Sequence, residues 1–297
     1  MVAQEPTFLF CMGATKAGTS WLHDHLLGHD QCYFRTIKEL HYFGLSEPAQ
    51  FETALRVGRQ EIARLTNVPF KSDEEGAIVA RRLTDLRDWQ KVLQSLSFDL
   101  QAYRAYLTDG LANARVVGEV TPAYALLPLE ILKSMVDVGQ DVRVVYLVRD
   151  PLARLWSHVR MIINKGNSAN FKPDAVALLD KIISGDSTAV ASGIVARGDY
   201  AAIVTKLTKA FGAKRLMVLF YEDLFGLEGI AKLSDFLGID PRKADLNRKV
   251  HQGEPLAFPF ALRDRALAFL RPQYDYIAQN IGQLPKSWQY NMKEGIA

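Results

Sequence analysis

Unbroken apolar runs, too short to be helices, punctuate this chain. Phe8-Leu9-Phe10-Cys11-Met12 is the first, Val116-Val117 opens a second, Val144-Val145-Tyr146-Leu147-Val148 is a third, and 215–220, apolar after its leading Arg215, is a fourth. Runs of this length, rich in branched residues and without polar alternation, predict strands buried on both faces. Between them the spacing turns helical: 21–27, stopped by Gly28; most of 45–113, which is also polar; and 152–163, opened by Pro151 where proline suits a helix start. Further helical spacing covers parts of 171–192, the stretch from Tyr200 to Phe211, and a helix pair over 260–291 expected to pack on the sheet. Strands alternating with helices predict a three-layer α/β sandwich with a central, mostly parallel sheet. No repeat or low-complexity linker divides 1–297, so one domain is expected, with a helical acceptor-side insertion at about 45–113.

Composition changes this picture little. Of 297 residues, 48% are hydrophobic and 23% charged, as in an ordinary soluble globular protein. A net charge of +3 does not indicate nucleic acid but suits a pocket for an anion. Cys11 and Cys32 form neither a disulfide framework nor a metal spacing. His23 and His25 project about 200° apart on a helix and cannot share one ion, so no metal is expected. No apolar run is long enough to span a membrane, and 1–10 has no signal-peptide pattern, so a cytoplasmic protein is expected.

The candidate chemistry begins where the first strand ends. Gly13-Ala14-Thr15-Lys16-Ala17-Gly18-Thr19-Ser20 joins a buried strand to a helix that starts Trp21-Leu22. A glycine-bounded loop of this kind points amides and a helix N-terminus at an anion. Gly13, Gly18 and Ser20 match the nucleotide-triphosphate pattern G-x-x-x-x-G-K-[ST], but Thr19 stands at its lysine position and Lys16 lies inside the loop. That displacement favours a smaller, diester-like group. Arg149 closes the third strand and Ser157 lies two turns into the next helix; together they can hold a phosphate, the arginine through its fork. In Lys38-Glu39-Leu40-His41-Tyr42-Phe43, Glu39 is a candidate base, raised by burial and lowered by Lys38, and His41 is a second. Thr121 and Tyr124, at the end of the second strand, are candidates for the acceptor side.

These segments resemble a known family. Lys16-Ala17-Gly18-Thr19-Ser20-Trp21-Leu22 resembles the 5′-phosphosulfate loop of sulfotransferases that use 3′-phosphoadenosine 5′-phosphosulfate, closest to the cytosolic form K-x-G-T-[ST]-W. The pattern L-V-R-D-P-x-x-R-x-x-S resembles the 3′-phosphate site and maps onto Arg149 and Ser157. K-E-x-x-[FY]-F resembles the general-base segment of heparan-type and many bacterial members, with Glu39 as the matching residue. Phe220-Tyr221-Glu222-Asp223-Leu224 resembles the late strand whose tyrosine touches adenosine, and Arg248-Lys249 resembles the start of the R-K-G loop, with Val250 replacing its glycine. Where relatives read G-E-K-[ST]-P-x-Y, Val120 replaces the lysine, which counts against a glycosaminoglycan-like acceptor.

The resemblance implies a P-loop-like nucleotide-binding fold and in-line transfer of a sulfonate to a hydroxyl or amine of a small-molecule or saccharide acceptor, without a metal. It implies that Lys16 steadies the leaving group, that Ala17, Gly18, Thr19 and Ser20 hold the 5′-phosphate, and that Trp21 offers a face to the adenine. Two other readings stand beside it: a nucleotide-dependent kinase or NTPase using Asp150 for magnesium, and a non-catalytic nucleotide-binding protein on the same fold.

Overall fold

A computed structural model describes residues 5–242 and 256–293. Its strands are β1 (Thr7–Cys11), β2 (Cys32–Phe34), β3 (Val116–Val120), β4 (Val142–Val148) and β5 (Leu216–Phe220). Its helices are α1 (Thr19–Leu27), α2 (Pro48–Thr66), α3 (Asp73–Leu93), α4 (Leu100–Thr108), α5 (Leu129–Ser134), α6 (Pro151–Lys165), α7 (Phe171–Ile183), α8 (Ala189–Ala196), α9 (Tyr200–Phe211), α10 (Leu227–Leu237), α11 (Arg263–Asn280) and α12 (Lys286–Lys293). The strands pair in the order β2-β3-β1-β4-β5, every pair parallel. β1 and β3 are buried along their whole length, which is why their sequences show no polar alternation.

Strand order fixes where a ligand can sit. From β1 the chain crosses to β2 and β3 on one side, then returns past β1 to β4 and β5 on the other. The loop after β1 therefore emerges at a topological switch point, where open α/β sheets bind ligands. β2, only three residues long, is too short to show a hydrophobic pattern of its own. The 45–113 stretch supplies α2, α3 and α4, and an aromatic cluster joins it to the sheet. Tyr42 stacks on Tyr103 at 4.9 Å between ring centroids and meets Phe51 and Trp89 edge-on. As expected of the tail, Trp288 of α12 is fully buried, meeting Phe220 and Tyr274 edge-on. No described helix is long and apolar enough to cross a membrane.

Gly118 lies at the centre of the sheet, paired with Leu9 on one side and Phe34 on the other. Its φ is +156°, and a methyl group there would come within 1.9 Å of the Leu9 carbonyl oxygen. No side chain can turn away from a neighbouring strand's backbone. Gly118→Ala is expected to cost more than about 3 kcal/mol, the range of severe overpacking and backbone strain, in a urea titration.

Candidate active site

The loop after β1 joins a buried strand to a helix start through two glycines and a half-buried lysine. α1 begins after Gly18, which has φ 83° and, having no side chain, leaves the first-turn N–H groups without an N-cap acceptor. A side chain at Gly18 would meet the Tyr221 ring at 2.7 Å, so only glycine allows the loop and that ring to touch. Lys16, with φ 72°, is half-buried. Burial lowers its ammonium pKa, and the positive charges of Arg149, Arg160, Lys165 and Lys38 lower it further.

Arg149 reaches the same place from the end of β4. Its Nη1 donates to the Lys16 carbonyl oxygen at 2.9 Å across 133 residues of chain, and its guanidinium lies over the Tyr221 ring at 4.8 Å. The Tyr200 hydroxyl holds the Arg149 peptide at both ends, accepting from its N–H at 3.2 Å and donating to its carbonyl at 2.6 Å. The neighbouring Asp150 does not pair with this arginine. It caps α6 through the Ala153 N–H at 2.8 Å and accepts from the Tyr274 hydroxyl and the Asn291 amide. Asp150 is 2% exposed and fully engaged in the helix start, so it is not poised as the magnesium ligand that an NTPase reading needs. Ser157 is half-buried two turns along α6, and Arg160 follows it on the same face, three residues on.

Lys38 to His41 has no regular structure but is tightly fixed. Glu39 donates its N–H to Val120 at 3.1 Å, and Leu40 donates its N–H to the Glu119 carboxylate at 3.2 Å. Glu39 and His41 both take positive φ, 65° and 58°, while Leu40 between them plugs the core. Lys38 Nζ donates to the Glu39 carboxylate, whose other oxygen lies 3.5 Å from His41 Nε2. The His41 hydrogen bond, outweighing burial and joined by Lys38, lowers the Glu39 pKa to about 2. Among the described residues, five non-glycine positions have positive φ, and three of them are Lys16, Glu39 and His41. Such conformations cost about 1–3 kcal/mol each and gather where geometry serves a site.

The other candidates sit deeper. Thr121 and Tyr124, expected on the acceptor side, are both buried, and both hydroxyls donate to Glu119, at 2.6 and 2.7 Å. Their place is behind the base segment, because the chain turns inward at Pro122. Trp21 is only 5% exposed; His25 covers its face at 5.2 Å and Phe225 meets its edge. Trp21 is thus packed against both rings, and Tyr221 touches both the loop and Arg149. Ala17 and Thr19 are buried beneath the loop, and Ser20 is half-buried. Arg248 and Lys249 lie outside the described residues. His23 bonds the Arg35 carbonyl, and among the described residues no group of three His, Cys, Asp or Glu side chains is placed to hold a metal. Reasoning from sequence gave no role to Glu119, Tyr200 or Arg160; Glu119 is the glutamate of the G-E-K-[ST]-P-x-Y match and Arg160 stands at helical spacing from Ser157, while Tyr200 left no signal.

The model of the sulfotransferase domain family matches residues 6–253. The chain belongs to the sulfotransferase family. The enzyme also resembles solved sulfotransferases. One from Alicyclobacillus acidocaldarius has 20% identity and a TM-score of 0.62, over 96% of this chain and 99% of that one. The sulfotransferase domain of the Synechococcus PCC 7002 olefin synthase has 18% identity and a TM-score of 0.52, over 99% and 95%. The sulfotransferase domain of the curacin biosynthetic pathway has 18% identity and a TM-score of 0.51, over 98% of both chains. At these identities the likeness concerns the P-loop-like α/β fold. No curated protein matches the chain.

Proposed function

We propose that this sulfotransferase takes its sulfonate from 3′-phosphoadenosine 5′-phosphosulfate and passes it to a hydroxyl or amine of a small-molecule or saccharide acceptor. The observation that carries the reading is the contact between Arg149 and Lys16, the ends of two motifs distant in sequence. A nucleotide with phosphates at both ends fits a site where four cations bear on Lys16 and a helix starts at a glycine that offers no capping side chain. When bound, the donor supplies an activated sulfonate on a phosphate leaving group.

The chain's own residues then have separable tasks. Lys16 meets charge that grows on the leaving phosphate, in a half-buried place where that interaction is strong. Amides from Gly18 onward, with Thr19 and Ser20, hold the 5′-phosphate. Arg149 and Ser157 hold the 3′-phosphate, and Tyr221 is the ring nearest the nucleotide. Glu39 accepts the acceptor's proton. Positioning and charge complementarity do most of the work, as in phosphoryl transfer.

Calorimetry with adenosine 3′,5′-bisphosphate tests the donor. A charge-assisted bond contributes about 1.5–3 kcal/mol, so Arg149→Ala is expected to weaken binding about 10- to 100-fold. Adenosine 5′-phosphate, which lacks the 3′-group, should lose less than about threefold on the scale of an uninvolved contact. Equal losses for both nucleotides would refute the assignment of Arg149.

A further inference from the structure

Glu119 stands out among buried groups for which the proposed reaction has no task. It is 2% exposed, and the four hydrogen bonds to its carboxylate come from three separate parts of the chain. Tyr103 donates from α4, Thr121 and Tyr124 donate from the turn after β3, and the fourth donor is the Leu40 N–H of the base segment. Every partner is a donor, the pattern an ionised carboxylate requires. Burial pushes its pKa up, and these same donors pull it back.

The network grips the base segment on both sides of His41. Glu119 holds the Leu40 N–H, and the Tyr124 hydroxyl that donates to Glu119 also accepts from the Phe43 N–H at 3.4 Å. The Glu39 N–H is held by Val120, the residue next to Glu119. Glu39 and His41 take left-handed backbone conformations in a segment without helix or strand, so these bonds to β3 and the turn after it are what keep them there. Lys38 and His41 are the charged or titratable neighbours bearing on Glu39, and their placement depends on the same peptides.

We infer that Glu119 is a positioning residue: its carboxylate holds the Leu40 peptide so that the Glu39 carboxylate faces the acceptor paired with Lys38 and His41. The inference rests on the reading of Glu39 as the base. It also gives Thr121 and Tyr124 their use, as the donors that hold and aim Glu119.

The test follows Glu39 directly and needs no acceptor. Carboxyl carbons are titrated by nuclear magnetic resonance in the protein loaded with adenosine 3′,5′-bisphosphate, and the Glu39 signal is identified by its loss in Glu39→Gln. In the wild type this signal should stay ionised below pH 4. In Glu119→Gln, which keeps the shape but turns an amide donor on its donating partners, the midpoint should rise toward the ordinary value of about 4.3. Nucleotide affinity should change less than about twofold, because Glu119 does not touch the donor loop. An unchanged Glu39 midpoint with the variant folded and binding nucleotide would overturn the inference. Should Glu119→Gln not fold, Tyr103→Phe removes a donor far from Glu39, and the same shift, smaller, is required of it. Wild-type protein that fails to bind adenosine 3′,5′-bisphosphate would instead overturn the donor assignment, leaving the Glu39 titration to judge Glu119 on its own.

Discussion

Replacing Lys16 with alanine is expected to lower kcat about a thousandfold, the upper range for losing one preorganised charge donor at a leaving oxygen. The KM for the donor should rise far less, because the loop amides and Arg149 still hold both phosphates. The ratio follows from the geometry. Four cations already crowd Lys16, so its contribution to ground-state binding is shared with them. Charge that appears only as the bond to sulfur breaks is met by whichever group lies closest, and the loop places that group at Lys16. Lys16→Arg should not restore the rate, since a guanidinium fork is bulkier and differently aimed than an ammonium. Steady-state sulfonate transfer, with binding of adenosine 3′,5′-bisphosphate measured in parallel, checks this. A kcat within tenfold of wild type would reduce Lys16 to a binding residue.

The two halves of the proposed donor site stand out in the sequence because each sits at a strand end with its own local signature. Apolar runs mark β1 and β4, a glycine loop follows one, and Asp150-Pro151 starts a helix after the other. That these halves touch follows from strand order, which places β4 beside β1, and from the bond between Arg149 and Lys16. The acceptor side was less legible for a physical reason. Thr121 and Tyr124 carry hydroxyls that serve a surface or a buried carboxylate equally well, and only the inward turn at Pro122 decides between them. Glu119 sits in an apolar strand where periodicity counts it as one polar interruption; its partners come from α4, the following turn and the base segment, which no spacing links. His25, four residues on from Trp21, covers its ring on the same helix face, a contact that the sequence shows only as spacing.

Glu39→Gln is expected to reduce kcat by between about a hundredfold and ten-thousandfold, the usual contribution of a positioned general base. His41 decides whether that loss belongs to Glu39 alone. In the free enzyme the His41 bond and Lys38 hold the Glu39 carboxyl down at about 2. The lowered pKa keeps the group ionised above that pH, so kcat/KM should show no acid limb from neutrality down to about pH 4, near its ordinary titration. His41→Ala removes the largest lowering influence. The pKa then rises, and activity should begin to fall as the pH drops through about 4 to 5. At pH 7 Glu39 is still ionised in that variant and, released from its partner, is a stronger base. The His41→Ala enzyme should therefore keep its neutral kcat within tenfold while its acid limb moves into view. If His41 were itself the proton acceptor, the same substitution would abolish turnover at pH 7, and Glu39→Gln would leave most of it. The Glu39→Gln and His41→Ala variants, read at pH 7, assign the proton to one side chain, because each reading abolishes turnover in one variant and leaves most of it in the other.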